Sequence, residues 1–203
     1  MKKSINKFLL LQPVLEKITD GGMFRFLFAW FFRALGLLAL LSTLYASWEM
    51  WGNINSNMPV KYFIGGVILQ IFIAGIGYVI FNIFFIRAND IDDLPSTKDY
   101  SITPIITIFW RTMGEILAAM YVVVGLALGV ATFVIGGNVG NLLPFSLPGL
   151  SSGGGSSGLV IMIAGGFFAV LILFFFYYIA ELASAVVDTA RYTSILANQS
   201  RRK

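Results

Sequence analysis

Arg111 and Glu115 stand four residues apart in an otherwise apolar stretch, a spacing that puts both on one face of a helix. Arg33 and Glu181 are likewise set into or against long apolar runs. Charges in such surroundings either find partners or change protonation state. Two chemistries therefore lie open to Arg33, Arg111, Glu115 and Glu181. They form an ion-pair layer that sets helix depth, or Glu115 and Glu181 serve a moving proton or cation.

Other chemistry is narrowed by what the chain lacks. It has no histidine and no cysteine, which removes His-ligated haem, thiolate metal sites, the cysteine nucleophile and the usual general base near neutral pH. Asp90, Asp92 and Asp93 invite a calcium reading. An EF-hand loop would need a central glycine and a closing glutamate, whereas no glycine falls in this stretch and Ser101 stands eleven beyond Asp90. No nucleophile–base pair can be named. The expectation is a non-enzyme with no catalytic residue, no metal and no cofactor.

The elements that position the four charges follow from hydropathy. Of the 203 residues 58% are hydrophobic and 12% charged, against about 45–50% and about 25% in soluble domains. Lipid must be the solvent for much of this surface. Four apolar runs, at about 24–50, 60–86, 104–136 and 158–197, each meet the roughly 20 residues that a helical span needs. Near Arg87, Asn89 and Asp90 the second helix is expected to stop, while Thr103 and Pro104 suit the N-cap and first position of the third. Residues 1–20 fit no cleavable signal; their apolar and Lys positions suit a short amphipathic helix in the headgroup region. The expected fold is all-α, one domain over 1–203. Four transmembrane helices form an antiparallel bundle, with an interfacial N-terminal helix and cytoplasmic extensions of the third and fourth helices.

Charge orients this topology. Thirteen of the 14 Lys and Arg residues fall on one side, and only Lys61 lies on the other. The positive-inside rule puts both termini and the middle loop in the cytoplasm. Small size and short loops point to a bacterial inner membrane. The basic residues sit beside apolar runs, so nucleic acid is not an expected partner; the lipid bilayer is.

Glu115 and Glu181 bound the uninterrupted apolar stretches of the last two helices, at one depth on the cytoplasmic side. Arg33 reaches a similar depth on the first. No carboxylate lies near the bilayer centre, where a transport pathway usually needs polar groups. Gln70, the deepest polar side chain, suits a hydrogen bond to a neighbouring helix. Gly125 and Gly129 form a GxxxG pair, and Gly165 with Ala169 a small-xxx-small pair; both let helix backbones approach. The fourth helix is longer than a bilayer requires, and Ile105, Ile108 and Phe109 are the nearest apolar surface to cover its tail. These features lead to a structural or accessory subunit of a membrane complex, associating with its own copies or with other membrane-protein subunits. The alternative is a small ion or proton channel or transporter working through Glu115 or Glu181.

Overall fold

The computed structural model describes residues 22–52, 59–94, 102–135 and 158–200. The expected interfacial helix at 1–20, and the loops at 53–58, 95–101 and 136–157, lie outside the described residues. Those described are all-helical: α1 (Gly22–Gly52), α2 (Val60–Asp92), α3 (Ile102–Ile135) and α4 (Gly158–Ser200). All four are long and apolar enough to cross a membrane.

Two boundaries differ from the sequence expectation. α2 does not stop near residue 86 but continues through Arg87, Asn89 and Asp90 to Asp92. These polar residues end no helix because each of the three finds a partner in the fold, two of them on α1 or α3. α3 begins at Ile102, so Thr103 is a helical residue rather than the cap. Pro104 falls in the first turn, where its missing N–H is not needed.

The helices pack in chain order. α1 lies on α2, α2 on α3 and α3 on α4; α1 touches α3 slightly, and α4 has no substantial contact with α1 or α2. Half of the membrane-crossing window of α3 is buried (50%), against 17% for α1 and for α4. α3 is therefore the central helix and α4 an outrigger held by one neighbour.

The contacts between α1 and α2 run from Arg25, which donates to the Leu94 carbonyl, to Trp51, whose ring lies 5.6 Å from that of Phe63. Between them Gly36 faces Phe84 and Gly77 faces Thr43. Two apolar clusters result. One gathers Phe32, Phe84, Ala88, Ile91 and Ile105 from α1, α2 and α3. Phe32 is its hub, with T-shaped contacts to Phe84 at 5.8 Å and Phe109 at 6.4 Å. The other joins Leu69 and Ile73 of α2, Tyr121 and Leu128 of α3, and Ile161 and Ala169 of α4.

Ile105, Ile108 and Phe109 belong to the first cluster, against α1 and α2. They do not cover the tail of α4, contrary to the sequence expectation, because α3 turns that face toward the other pair of helices. What meets α4 there is Thr107, whose hydroxyl lies 3.2 Å from that of Ser184.

Candidate functional site

The extension of α2 builds the most polar part of the interior. Arg87, partly buried at 24% side-chain exposure, reaches across to Glu115 on α3. Its Nε donates to Glu115 Oε2 at 3.0 Å, and its Nη2 pairs with Oε1. The remaining nitrogen, Nη1, donates to Asp90 Oδ2 one turn along α2 at 2.7 Å. Tyr177 of α4 completes the cluster by donating its hydroxyl to Glu115 Oε1 at 2.7 Å. A planar guanidinium matches a carboxylate in this two-point manner, which gives orientation as well as energy. One side chain, Glu115, thus ties together the three helices that carry most of the packing.

The four charges singled out from the sequence do not form a single closed layer. Arg33 turns to the end of α2, donating to Asp92 Oδ2 at 2.6 Å and Asn89 Oδ1 at 3.2 Å. Arg111 shares a face with Glu115 but is joined to it only through Tyr177, over whose ring its guanidinium lies 5.6 Å from the centroid. Glu181 is exposed and makes no ion pair among the described residues. The carboxylates that engage Arg33 and Arg87 include Asp90 and Asp92, which lie at or beyond the expected end of the second helix. The Arg87–Asp90 spacing of three was a helix-pair signal. Nothing marked Tyr177 within its run of aromatic residues.

The small residues mark a second feature. Gly125 and Gly165 meet face to face, so that a Cβ placed on either would lie 2.9 Å from the other's Cα. A Cβ on Gly129 would collide with Met162 and with the Gly158 carbonyl. Ala169 is buried in the same seam. From Thr107–Ser184 to Gly129–Gly158 the seam covers roughly 33 Å at 1.5 Å per residue, close to the thickness of a bilayer's hydrocarbon core.

Gln70 bridges to α1. Its amide nitrogen donates to Ser47 Oγ at 3.0 Å, and its carbonyl accepts from Trp51 Nε1 at 3.2 Å. Replacing Gln70 with leucine removes both bonds, and a loss of about 0.6–1.7 kcal/mol is expected, the range for interhelical hydrogen bonds in membrane proteins. The midpoint of denaturation in mixed micelles would measure it, and an unchanged midpoint would mean the bridge contributes nothing.

Chemically, the cluster holds the Glu115 carboxylate between a guanidinium and a phenol hydroxyl. Both oxygens of Glu115 are engaged, and among the described residues no group of three Asp, Glu, His or Cys side chains could hold a metal ion. An open groove of about 600 Å³ along α1, past Leu27, Trp30 and Phe31, is lined by apolar side chains and adds no reactive group. The architecture is that of an all-helical protein with four helices able to cross a membrane. Comparison with protein-family models, with curated proteins and with solved structures gives no match.

Proposed function

We propose that this protein is a non-enzymatic multi-pass membrane protein, a structural or accessory subunit that associates with its own copies or with another membrane protein through α4. On this reading the helices form an antiparallel bundle in a bacterial inner membrane. Both termini face the cytoplasm, and α3 and α4 project beyond the lipid on that side. The charge asymmetry supports the orientation. Arg25, Arg33, Arg87 and Arg111 gather at the end where α2 finishes and α3 begins, and Lys61 sits at the other.

The observation that carries the proposal is the isolation of α4. It runs 43 residues, roughly 65 Å at 1.5 Å per residue, yet among the described helices packs substantially only on α3. Lipid covers the exposed apolar side chains of its first 20 or so residues, about the length of a span. Beyond Glu181, Leu182, Val186 and Tyr192 are 51%, 61% and 67% exposed, so the described residues leave more than half of each uncovered. An apolar stripe in that position is the signature of an interaction surface. The channel reading has less to rest on, since Glu115 is held from two sides.

Absence of cysteine makes the test clean. Leu182→Cys and Val186→Cys, each the only thiol in its chain, should crosslink in native membranes to a second copy or to another membrane protein. Tyr78→Cys, exposed on α2 within its span, should not. No adduct at either tail position, together with a strictly monomeric mass after mild detergent extraction, would remove the proposal.

A further inference from the structure

Four arginines sit in the polar end of the helix assembly, and they are not treated alike: Arg25 donates to the Leu94 carbonyl. Arg33 has Asp92, and Arg87 has Glu115 and Asp90. Arg111 has no carboxylate among the described residues. Its guanidinium lies over the Tyr177 ring, 5.6 Å from the centroid, and its Nε is buried with no hydrogen-bond acceptor among the described residues. Arginine cannot escape this situation by losing its proton. A fixed cation at the edge of a membrane-crossing segment, with no carboxylate among the described residues, leaves its charge open to an anion from the membrane surface.

The surroundings say which anion. The nearest carboxylate on the same face, Glu115, is already engaged by Arg87 and Tyr177. Trp110 packs on Phe176 at 5.8 Å beside the arginine, forming an aromatic flank of the kind that sits at headgroup level. We propose that Arg111, stacked on Tyr177 in the α3–α4 seam, binds a phosphate oxyanion at the membrane surface. The stacked guanidinium offers it N–H donors in one plane, a fork that suits phosphate better than a point charge does. Basic pockets between membrane helices take phospholipid headgroups in this way. A phospholipid phosphodiester and free phosphate share the chemistry, and the experiment separates them. The inference rests on the membrane placement of the helices and not on the accessory-subunit reading, so either can fail without the other.

The full chain is reconstituted in nanodiscs of phosphatidylcholine containing phosphatidylglycerol as the minor lipid, and the lipids retained by the protein are quantified by mass spectrometry. Wild type should retain phosphatidylglycerol preferentially, and Arg111→Gln should lower that preference about fivefold, the worth of one basic contact near a membrane surface. Lys61→Gln, a loss of equal charge at the other end of the helices, should lower it far less. In a second arm, inorganic phosphate is added to pure phosphatidylcholine nanodiscs and the unfolding temperature followed. A rise in wild type that Arg111→Gln abolishes assigns the site to free phosphate instead. Should Arg111→Gln not fold, Arg111→Lys decides: it keeps the charge but loses the stacked fork, and must show a weaker response than wild type. Equal responses of wild type and the Arg111 variants in both arms, or equal losses in Arg111→Gln and Lys61→Gln, overturn the proposal. Equality of the first kind would leave Glu181, one turn beyond Tyr177 on α4, as the counter-charge.

Discussion

Replacing Glu115 with leucine is expected to destabilise the protein by up to about 3–5 kcal/mol, the upper bound set by removing one partner from a fully buried ion pair. The carboxylate accepts from Arg87 at both oxygens and from Tyr177, and its side chain is only 18% exposed. Taking it away leaves the Arg87 guanidinium with Asp90 alone, a residue on its own helix, and strips the Tyr177 hydroxyl of its acceptor. α2, α3 and α4 lose their shared polar contact in one step. Glu115→Gln keeps the shape and part of the hydrogen bonding, and should fall between leucine and wild type.

The double variant Arg87→Leu/Glu115→Leu should recover most of the loss, because a well-packed apolar pair avoids the desolvation cost that a broken ion pair leaves unanswered. Arg33→Gln is the contrasting case. Its pair with Asp92 is 26% and 39% exposed, so a change of no more than about 1 kcal/mol is expected. Denaturation midpoints in mixed micelles, measured for all four variants, check the set. A Glu115→Leu protein within about 1 kcal/mol of wild type, well below the range for broken buried pairs, would mean that water or lipid rearrangement already screens the cluster.

Gly165→Ala and Gly166→Ala, adjacent substitutions of identical chemistry, are expected to behave oppositely. A Cβ at Gly165 would stand 2.7 Å from the Tyr121 carbonyl oxygen and 2.9 Å from the Gly125 Cα. Both are backbone atoms that can yield only if α3 and α4 move apart. In a membrane that separation is costly, since close packing rather than a hydrophobic drive holds apolar helices together. A loss of about 1–3 kcal/mol is expected, the range for overpacking a close contact, and a larger one for Gly165→Leu. At Gly166 no atom lies within 4 Å of the added methyl. Alanine there should be neutral or stabilising by up to about 1 kcal/mol, through its helix propensity. α4 touches little besides α3, so its protease susceptibility in detergent provides a second readout. Gly165→Leu should release it and Gly166→Ala should not. Equal behaviour of the two alanine variants would mean the seam tolerates separation.

These effects turn on details of unequal visibility in the sequence. Four helices long and apolar enough to cross a membrane are legible because lipid imposes a length and composition that few other environments demand. Gly125, Gly129, Gly165 and Ala169 can be picked out as small positions at helical spacing, and Gln70 as a polar group too deep to go unbonded. Their partners cannot be picked out in the same way. Gly125 meets Gly165, and Gln70 meets Ser47 and Trp51; each pairing depends on how two helices are rotated and shifted against each other.

The arginines make the distinction sharper. Sequence placed Arg33, Arg111, Glu115 and Glu181 near one depth, and depth is a property of each helix by itself. Arginine side chains are long enough to reach several carboxylates at a common depth, so depth alone does not select among them. The choice of Arg87 for Glu115, and of Arg33 for Asp92, was made by two facts of tertiary structure. α2 continues six residues past the expected stop, which brings Arg87, Asp90 and Asp92 into helical register. The helices also pack in chain order with α3 central, which puts α2 rather than α1 beside Glu115. Arg87, Asn89 and Asp90 read as a stop signal only when α1 and α3 are out of view; with partners in reach, a helix can carry charge without ending.

By itself, then, the amino-acid sequence determined the class of element, the number of apolar helices and the end of the molecule on which its charge gathers. All of these follow from single-helix properties, namely length, hydropathy and the side-chain types along one helix. Tertiary structure alone decided that Arg87 holds Glu115, that Arg111 lies over Tyr177 with no carboxylate among the described residues, and that α4 leans mainly on α3. Each of these depends on the relative rotation and order of helices, which no local pattern in a chain of similar apolar segments encodes.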